Sequence, residues 1–388
     1  MHVSRICSDL VAIRSENPPG STADVIEYIR SFLSGIGINA EVCGSGTEMA
    51  NIVAYRKEAR LLLCGHVDVV PALPDGWTYP PFSGTIDDTF VWGRGSTDMK
   101  GGCASILAAC QTLEDAGGEI PASLAFVCDE ETGGVNGIRY LLSHNKLTPC
   151  DCLIAEPSPT HHPCIGQKGL CRISLTFKGT PAHGSLYPVV GVSAITEAMK
   201  FLEYMKTLHL REFPLDPTMK TILAQSSGVL EQEFHIAGIR DVLTRITYNP
   251  GVIRGGEKSN VVAQHCELDL EMRIPFGCTI PDLLEDIRAH APTAIVTTRE
   301  THVPSSTDPS CPLVTITCGE LERVYGGPVF PIVQWAASDA RHLRREGFQV
   351  IEYGPGEIST LHAVNERVRI ESLEKAADIY RGILQKYD

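Results

Sequence analysis

The chain has 388 residues, 43% of them hydrophobic, and a formal net charge of −14. That length exceeds what one hydrophobic core usually serves, so two domains are expected. The acidic balance argues against a nucleic-acid partner, whose phosphates call for clustered Lys and Arg, and no apolar run approaches the roughly 20 residues of a membrane helix.

In chain order, Val25, Ile26, Ile29, Phe32 and Leu33 recur at helical spacing and predict a helix over 22–36, closed by Gly35 and Gly37. Strands follow at 51–55 and 61–64, then a turn-rich stretch with Pro71, Pro74, Asp75-Gly76, Pro80 and Pro81. A hairpin is expected over 84–92, turning at Asp87-Asp88. Cys103, Ile106, Leu107, Cys110 and Leu113 predict a helix after Asp98 that Gly117-Gly118 ends. A strand at 122–128, a helix at 134–144 and a strand at 152–155 complete an alternation that predicts an α/β sheet with helices on both faces.

Near residue 172 the pattern changes. A strand over 172–178 precedes a helix on which Ile195, Met199, Leu202 and Met205 line one face. Leu268, Leu270, Met272 and Ile274 then alternate with Glu267, Asp269, Glu271 and Arg273, as a half-buried strand requires. A helix near 281–290 and a strand near 293–300 complete the β-α-β-β-α-β order of a ferredoxin-like module. The α/β pattern resumes with a helix near 311–325, a strand at 349–353 and a closing helix at 371–386. The expected organisation is therefore residues 1–171 and 304–388 as one domain, with 172–303 inserted as a second.

Fourteen cysteines would suggest a disulfide framework in a small secreted chain, but this chain is long. Cys64, Cys110 and Cys128 fall within apolar runs, where a free thiol packs as a small hydrophobe. The Cys150-x-Cys152 pair enters a strand and has no second pair at zinc-finger spacing, so structural zinc is not expected. The opening residues Met1–Asp9 hold no apolar stretch of leader length. A cytoplasmic setting is the expectation.

The chemistry gathers where strands end. His66 and Asp68 follow the run Leu61–Gly65, Asp129-Glu130-Glu131 follows Leu124–Cys128, and Glu156 follows Cys152–Ala155. Adjacent carboxylates repel and lose hydration, so a cation or a dense hydrogen-bond network must offset them. Two further segments join them: Gly93-Arg94-Gly95-Ser96-Thr97-Asp98-Met99-Lys100-Gly101-Gly102 and Leu361-His362-Ala363-Val364-Asn365-Glu366. His66 and His362 read as imidazole ligands, Glu131 and Glu156 as terminal carboxylates, and Asp98 as a bridge between two ions. Nitrogen and oxygen donors without sulfur suit Zn²⁺, and two such ions activate a shared water as nucleophile. Asp68 is placed to fix the His66 tautomer. Glu130 is free to act as general base and to return the proton to the leaving amine.

These five segments resemble the two-zinc amidohydrolases that include succinyl-diaminopimelate desuccinylase, acetylornithine deacetylase, aminoacylase and glutamate carboxypeptidase. The resemblance covers nearly the whole chain and implies a zinc-peptidase-like α/β catalytic domain, with a mixed sheet and an inserted ferredoxin-like α+β domain for lid and dimer contacts. It implies the same five ligands (His66, Asp98, Glu131, Glu156, His362), Glu130 as base and Asp68 as partner of His66. Two Zn²⁺ per chain are implied, with Co²⁺ able to substitute. Gly179-Thr180-Pro181-Ala182-His183-Gly184-Ser185 is similar to the lid segment in which a histidine reaches across a homodimer to stabilise the oxyanion. Asn260 and Arg273 match substrate-contacting positions. Ser338-Asp339-Ala340-Arg341 resembles a desuccinylase segment holding the substrate carboxylate, for which an arginine is suited.

Two segments depart from the desuccinylase pattern. Gly166-Gln167-Lys168-Gly169 stands where paired arginines are expected, and Gly354-Pro355-Gly356-Glu357-Ile358 is closer to a deacetylase. The leading expectation is hydrolysis of the amide bond of an N-acyl amino acid, with succinyl favoured. A carboxypeptidase or dipeptidase on short peptides is the alternative. A scaffold without activity would have lost a ligand or the base, and all are present. No Gly-x-Ser-x-Gly elbow or nucleotide-binding glycine motif points elsewhere.

Overall fold

The expected α/β alternation builds a mixed sheet in the computed structural model, which describes residues 1–44, 46 and 48–387. Strands are numbered along the chain: β1 Glu41–Gly44, β2 Ala50–Ala54, β3 Leu61–His66, β4 Phe90–Trp92, β5 Ala122–Val127, β6 Asp151–Ile154, β7 Cys164–Gln167 and β8 Gly169–Lys178. After them come β9 Thr247–Gly255, β10 His265–Ile274, β11 Ala294–His302, β12 Ser305–Ser306, β13 Ile332–Gln334, β14 Gln349–Glu352 and β15 Arg367–Arg369. The chain divides into two units, Met1–Ile165 with Ser306–Ile332 and Ser338–Asp388, and Gly166–Ser305 with Val333–Ala337.

In the first unit the sheet runs β1-β2-β5-β3-β6-β14. β3 pairs in parallel with both β5 and β6, whereas β2 runs antiparallel to β5. Every residue of β3 is buried, so both faces of the sheet are covered and the strand reads as an unbroken apolar run. Helices α1 (Val3–Ala12), α3 (Lys100–Asp115) and α11 (Ile370–Gln385) pack against one another through Ile6, Leu10, Ile106, Cys110, Ile379 and Ile383. Burying each such side chain contributes ~1.5–3 kcal/mol. Lys100, itself buried, donates from Nζ to the carbonyls of Leu10 and Ile13, satisfying the end of α1. Burial pushes its ammonium down to about 8.

One glycine decides how closely α3 approaches the sheet. A Cβ on Gly102 would lie 2.1 Å from the carbonyl oxygen of Ala155. The helix therefore lies directly against the strand end that carries Glu156.

Two local expectations change. The hairpin over 84–92 forms about an Ile86–Val91 bridge, with Asp87 N–H donating to the Phe90 carbonyl and Trp92 N–H to the Thr85 carbonyl, but its second strand β4 also pairs with β15. The Arg367 guanidinium stacks over the rings of Phe90 and Trp92 and favours that partner. The helix expected at 134–144 begins only at Ile138, because Gly133 and Gly134 hold left-handed conformations upstream.

The second unit has a four-stranded antiparallel sheet in the order β11-β8-β10-β9. Helices α5 (Ala194–His209) and α8 (Ile280–His290) pack on it, and α6 (Pro217–Phe234) and α7 (Ile239–Thr244) intervene before β9. Leu268, Leu270, Met272 and Ile274 of β10 point into the core, as their alternation predicts. On α5 the buried stripe is Ala198, Phe201, Met205 and Leu208, leaving Ile195 and Met199 exposed. Of the expected face, Met205 is in the core and Leu202 packs against it, whereas Ile195 and Met199 point outward. Among the described residues no helix is long and apolar enough to cross a membrane, and all fourteen cysteines are free.

Candidate metal centre

Strands β5, β3 and β6 are neighbours and parallel, so their carboxyl ends lie side by side, where open α/β sheets bind ligands. His66 ends β3, Glu130 and Glu131 form a short turn after β5, and Glu156 lies two residues past β6. Asp98 enters from the loop before α3, and His362 from the loop before β15 at φ +56, an uncommon conformation for a residue with a side chain.

Donor atoms form two groups that share one residue. His66, Asp98 and Glu156 make the first, and Asp98, Glu131 and His362 the second, with the ligand atoms of each group within 4.8 Å of one another. Asp98 turns Oδ1 to His66 Nε2 at 3.0 Å and Oδ2 to His362 Nε2 at 3.2 Å. Glu156 lies 3.7 Å from His66 and Glu131 3.4 Å from His362. A carboxylate presenting its two oxygens to two imidazoles is the arrangement expected of a bridge.

The electrostatics call for positive charge. Burial alone would depress His66, yet Glu156, Asp68 and Asp98 raise it well above the usual imidazole range. Hydrogen bonds donated to Asp98 and Glu131 take His362 up to about 10. Burial, with mutual repulsion, raises Glu130 and Glu156 well above the ordinary carboxylate range. Burial also raises Glu131, whose buried Oε1 lies 3.4 Å from His362 Nε2. Cations at the two groups would reverse these penalties, so the donor set fits metal ions.

Asp68 does more than orient an imidazole. Nδ1 of His66 lies 3.0 Å from the backbone carbonyl of Asp68 and 3.5 Å from its carboxylate, leaving Nε2 for a ligand. The Asp68 carboxylate accepts the backbone N–H of Glu130 and of Glu131. Nδ2 of Asn17 donates to both Asp68 and Asp129, at 3.0 Å each. Asp129 in turn accepts from the side chain of Thr132 and from both nitrogens of Asn136. Asp129, Arg94 and Glu366 lie in the segments noted from sequence but were given no role there, and Asn17 was not noted at all. Asn17 gives no local signal, since its partners lie 51 and 112 residues away.

The remaining expected site residues divide between the units. Arg341, in the first, donates Nη1 to the Ser338 carbonyl, and its Nε is buried without a hydrogen-bond partner among the described residues. In the second, His183 is exposed, its segment bridges to Val261, and Gly184 N–H donates to the Asn260 carbonyl. Arg273 pairs with Glu271 of its own strand at 2.8 Å. Lys168, at the position of the missing arginines, donates to the carbonyls of Val242 and Arg245 and to Thr247.

Residues 62–386 match the family described as Peptidase family M20/M25/M40. The chain belongs to this family. It is a metal-dependent amide hydrolase with a mixed α/β fold. It is similar to a succinyl-diaminopimelate desuccinylase of Alkalilimnicola ehrlichii, 27% identical over 401 residues and 98% of each chain. An M20 family metallo-carboxypeptidase from Sulfolobus solfataricus shares the fold at a TM-score of 0.79, with 20% identity over 100% of this chain and 99% of the other. So does the YXEP protein of Bacillus subtilis, described as a dinuclear metal-binding peptidase, at 0.64 and 14% identity over 98% and 96%.

Proposed function

We propose that this M20 chain hydrolyses the amide bond of a small N-acyl amino acid, using two Zn²⁺ ions held by His66, Asp98 and Glu156 and by Asp98, Glu131 and His362. The observation that carries the reading is the shared Asp98, whose two oxygens face two separate histidines. Zinc at these sites would polarise the scissile carbonyl and acidify water. Glu130 takes the proton of the attacking water and delivers it to the departing amine. Its backbone is anchored on Asp68, so the base is held in place before substrate arrives. With Nδ1–H donating to the Asp68 carbonyl, Nε2 of His66 is left as the donor atom, and zinc there would hold the ring neutral and in that tautomer.

The substrate carboxylate would be met by Asn260, Arg273 and Arg341. Succinyl is the preferred acyl group: full-length likeness to a desuccinylase supports it, as does Arg341 beside Ser338. Lys168 does not enter this reading, because its ammonium is occupied within the second unit. We place the enzyme in the cytoplasm as a homodimer in which His183 of one protomer serves the partner's site. The exposed edge strand β9, with Val252 and Ile253, and the exposed Ile195 and Met199 of α5 support a protein contact there. A carboxypeptidase or dipeptidase would use the same centre.

The test is kcat/KM for N-succinyl-diaminopimelate, N-acetylornithine and a set of dipeptides with zinc supplied. A tenfold preference for acetyl, about 1.4 kcal/mol, overturns the acyl assignment, and a comparable preference for dipeptides overturns the deacylase reading.

A further inference from the structure

The two donor groups are held in place by different means. His66 and Glu156 continue β3 and β6, which are paired in parallel from Leu61–Asp151 to Cys64–Ile154. The sheet itself sets their separation. Glu131 likewise follows β5, with its N–H on Asp68. His362 has no such strand behind it. It is half exposed, in a left-handed conformation, on a loop 264 residues beyond Asp98.

We infer that Glu366 is the positioning residue that fixes His362 against Asp98 and so assembles the second donor group. The inference rests on the two-ion reading above. Glu366 is fully buried. Its Oε1 accepts the backbone N–H groups of Gly95 and Thr97 at 3.0 Å and of Asp98 itself at 3.1 Å. Its Oε2 accepts Nη1 of Arg94, and Nη2 of Arg94 donates to the His362 carbonyl at 3.2 Å. One carboxylate thus holds the amide of the bridging ligand and, through Arg94, the backbone of the terminal one.

Neighbouring contacts align the same two segments. Gly93 N–H donates to the Glu366 carbonyl at 2.9 Å, Thr97 Oγ1 donates to the Arg367 carbonyl at 2.7 Å, and β4 and β15 pair from Trp92–Arg367 to Phe90–Arg369. A carboxylate is required because every group around it donates. Three converging amides and a guanidinium leave no acceptor for a side-chain amide, so Gln would turn one attraction into a clash of donors.

The test is calorimetric titration of Zn²⁺ into chelator-treated full-length protein, comparing wild type with Glu366→Gln and Arg94→Lys. Glu156→Gln serves as the reference for a defect in the first group. Wild type should take up two ions. Glu366→Gln should keep one within about threefold of its wild-type affinity and weaken the other about 30-fold, the range seen when a group supporting a ligand is lost. Arg94→Lys, which keeps the charge but loses the forked geometry, should weaken the same ion less, and combining Glu366→Gln with Glu156→Gln should impair both. Equal weakening of the two ions, or wild-type affinity for both, overturns the inference. Should Glu366→Gln fail to fold, an Arg94→Lys protein with both affinities intact overturns it equally. Wild type binding fewer than two ions would instead overturn the two-ion reading, and this inference with it.

Discussion

The carboxylate of Asp68 accepts the backbone N–H of Glu130 at 3.2 Å. Its other oxygen accepts Glu131 N–H at the same distance, so the proposed base and a proposed metal ligand are hung from one buried acid. Hydrogen bonds to an ionised acceptor contribute ~1.5–3 kcal/mol each. Asp68→Asn turns one acceptor oxygen into a donor that faces an N–H. It should reduce kcat/KM at least roughly hundredfold, equivalent to about 2.7 kcal/mol, at saturating zinc. Steady-state kinetics of the refolded variant check this, and unchanged kcat would remove Asp68 from any part in positioning Glu130.

Metal dependence follows from the two donor groups. Dialysis against a chelator should abolish amide hydrolysis, and added zinc or cobalt should restore it. His66→Ala and His362→Ala should each bind fewer ions per chain, as measured by elemental analysis after desalting. Full activity in rigorously metal-free protein would sink the reading.

The roles proposed for Glu130 and Glu131 can be separated by mutation. Glu130→Ala should retain metal close to the wild-type content and lose activity by ~10²–10⁴-fold, the usual contribution of a general base, or more because this base also orients the nucleophile. Glu131→Ala should lose metal as well, since Glu131 belongs to the second donor group. Equal metal content in the two variants would mean that their roles are assigned wrongly.

Three of the expected donors were legible because each stands at the end of an apolar run, and that pattern needs only local reading. His66, Glu131 and Glu156 could be placed this way, and β3, β5 and β6 bring them together by ordinary parallel pairing. What holds the donors was not legible. Glu366 works through residues 268 to 272 positions away, and Asn17 through residues 51 and 112 away. No periodicity records such contacts. On helix α5, Ile195 and Met199 were read into the core face beside Leu202 and Met205 because they are apolar, yet they are exposed. Hydrophobic spacing does not distinguish a core from a protein contact.

Asp339 makes stability depend on pH in an uncommon direction. It is 2% exposed, and both carboxylate oxygens lack a hydrogen-bond partner among the described residues. Burial, aided by Asp68 and Asp129 and opposed by Arg341 and His66, raises its carboxyl to about 7. The unfolded chain releases this proton near pH ~4, whereas the folded chain keeps it until about 7. In that window the folded state binds more protons, so stability falls as pH rises from about 4 to about 7 and then levels. Asp339→Asn should therefore stabilise metal-free protein by ~2–4 kcal/mol at pH 8 and by little at pH 4. Urea unfolding of both proteins across this range measures the difference. A gain independent of pH would rule the carboxyl out as its source.

The proposed dimer makes the last prediction. His183 stands exposed on the second unit, and its Nδ1 accepts the Ser185 N–H at 3.3 Å, which leaves the ring proton on Nε2. If it stabilises the oxyanion across the dimer, Glu130→Ala and His183→Ala each inactivate the homodimer by removing different parts of a shared site. Mixing the two should produce hybrids in which one of the two sites has both residues intact. With equal amounts and free exchange half the dimers are hybrids, so activity should recover to about one quarter of wild type. Subunit exchange is verified with differently tagged chains. Complete exchange without recovered activity would show that His183 acts within its own chain or takes no part in the reaction. Introducing a charge at Met199 or Val252 should weaken the dimer and reduce activity in parallel, measured by sedimentation and turnover on the same samples. Full turnover in a verified monomer would exclude the shared site.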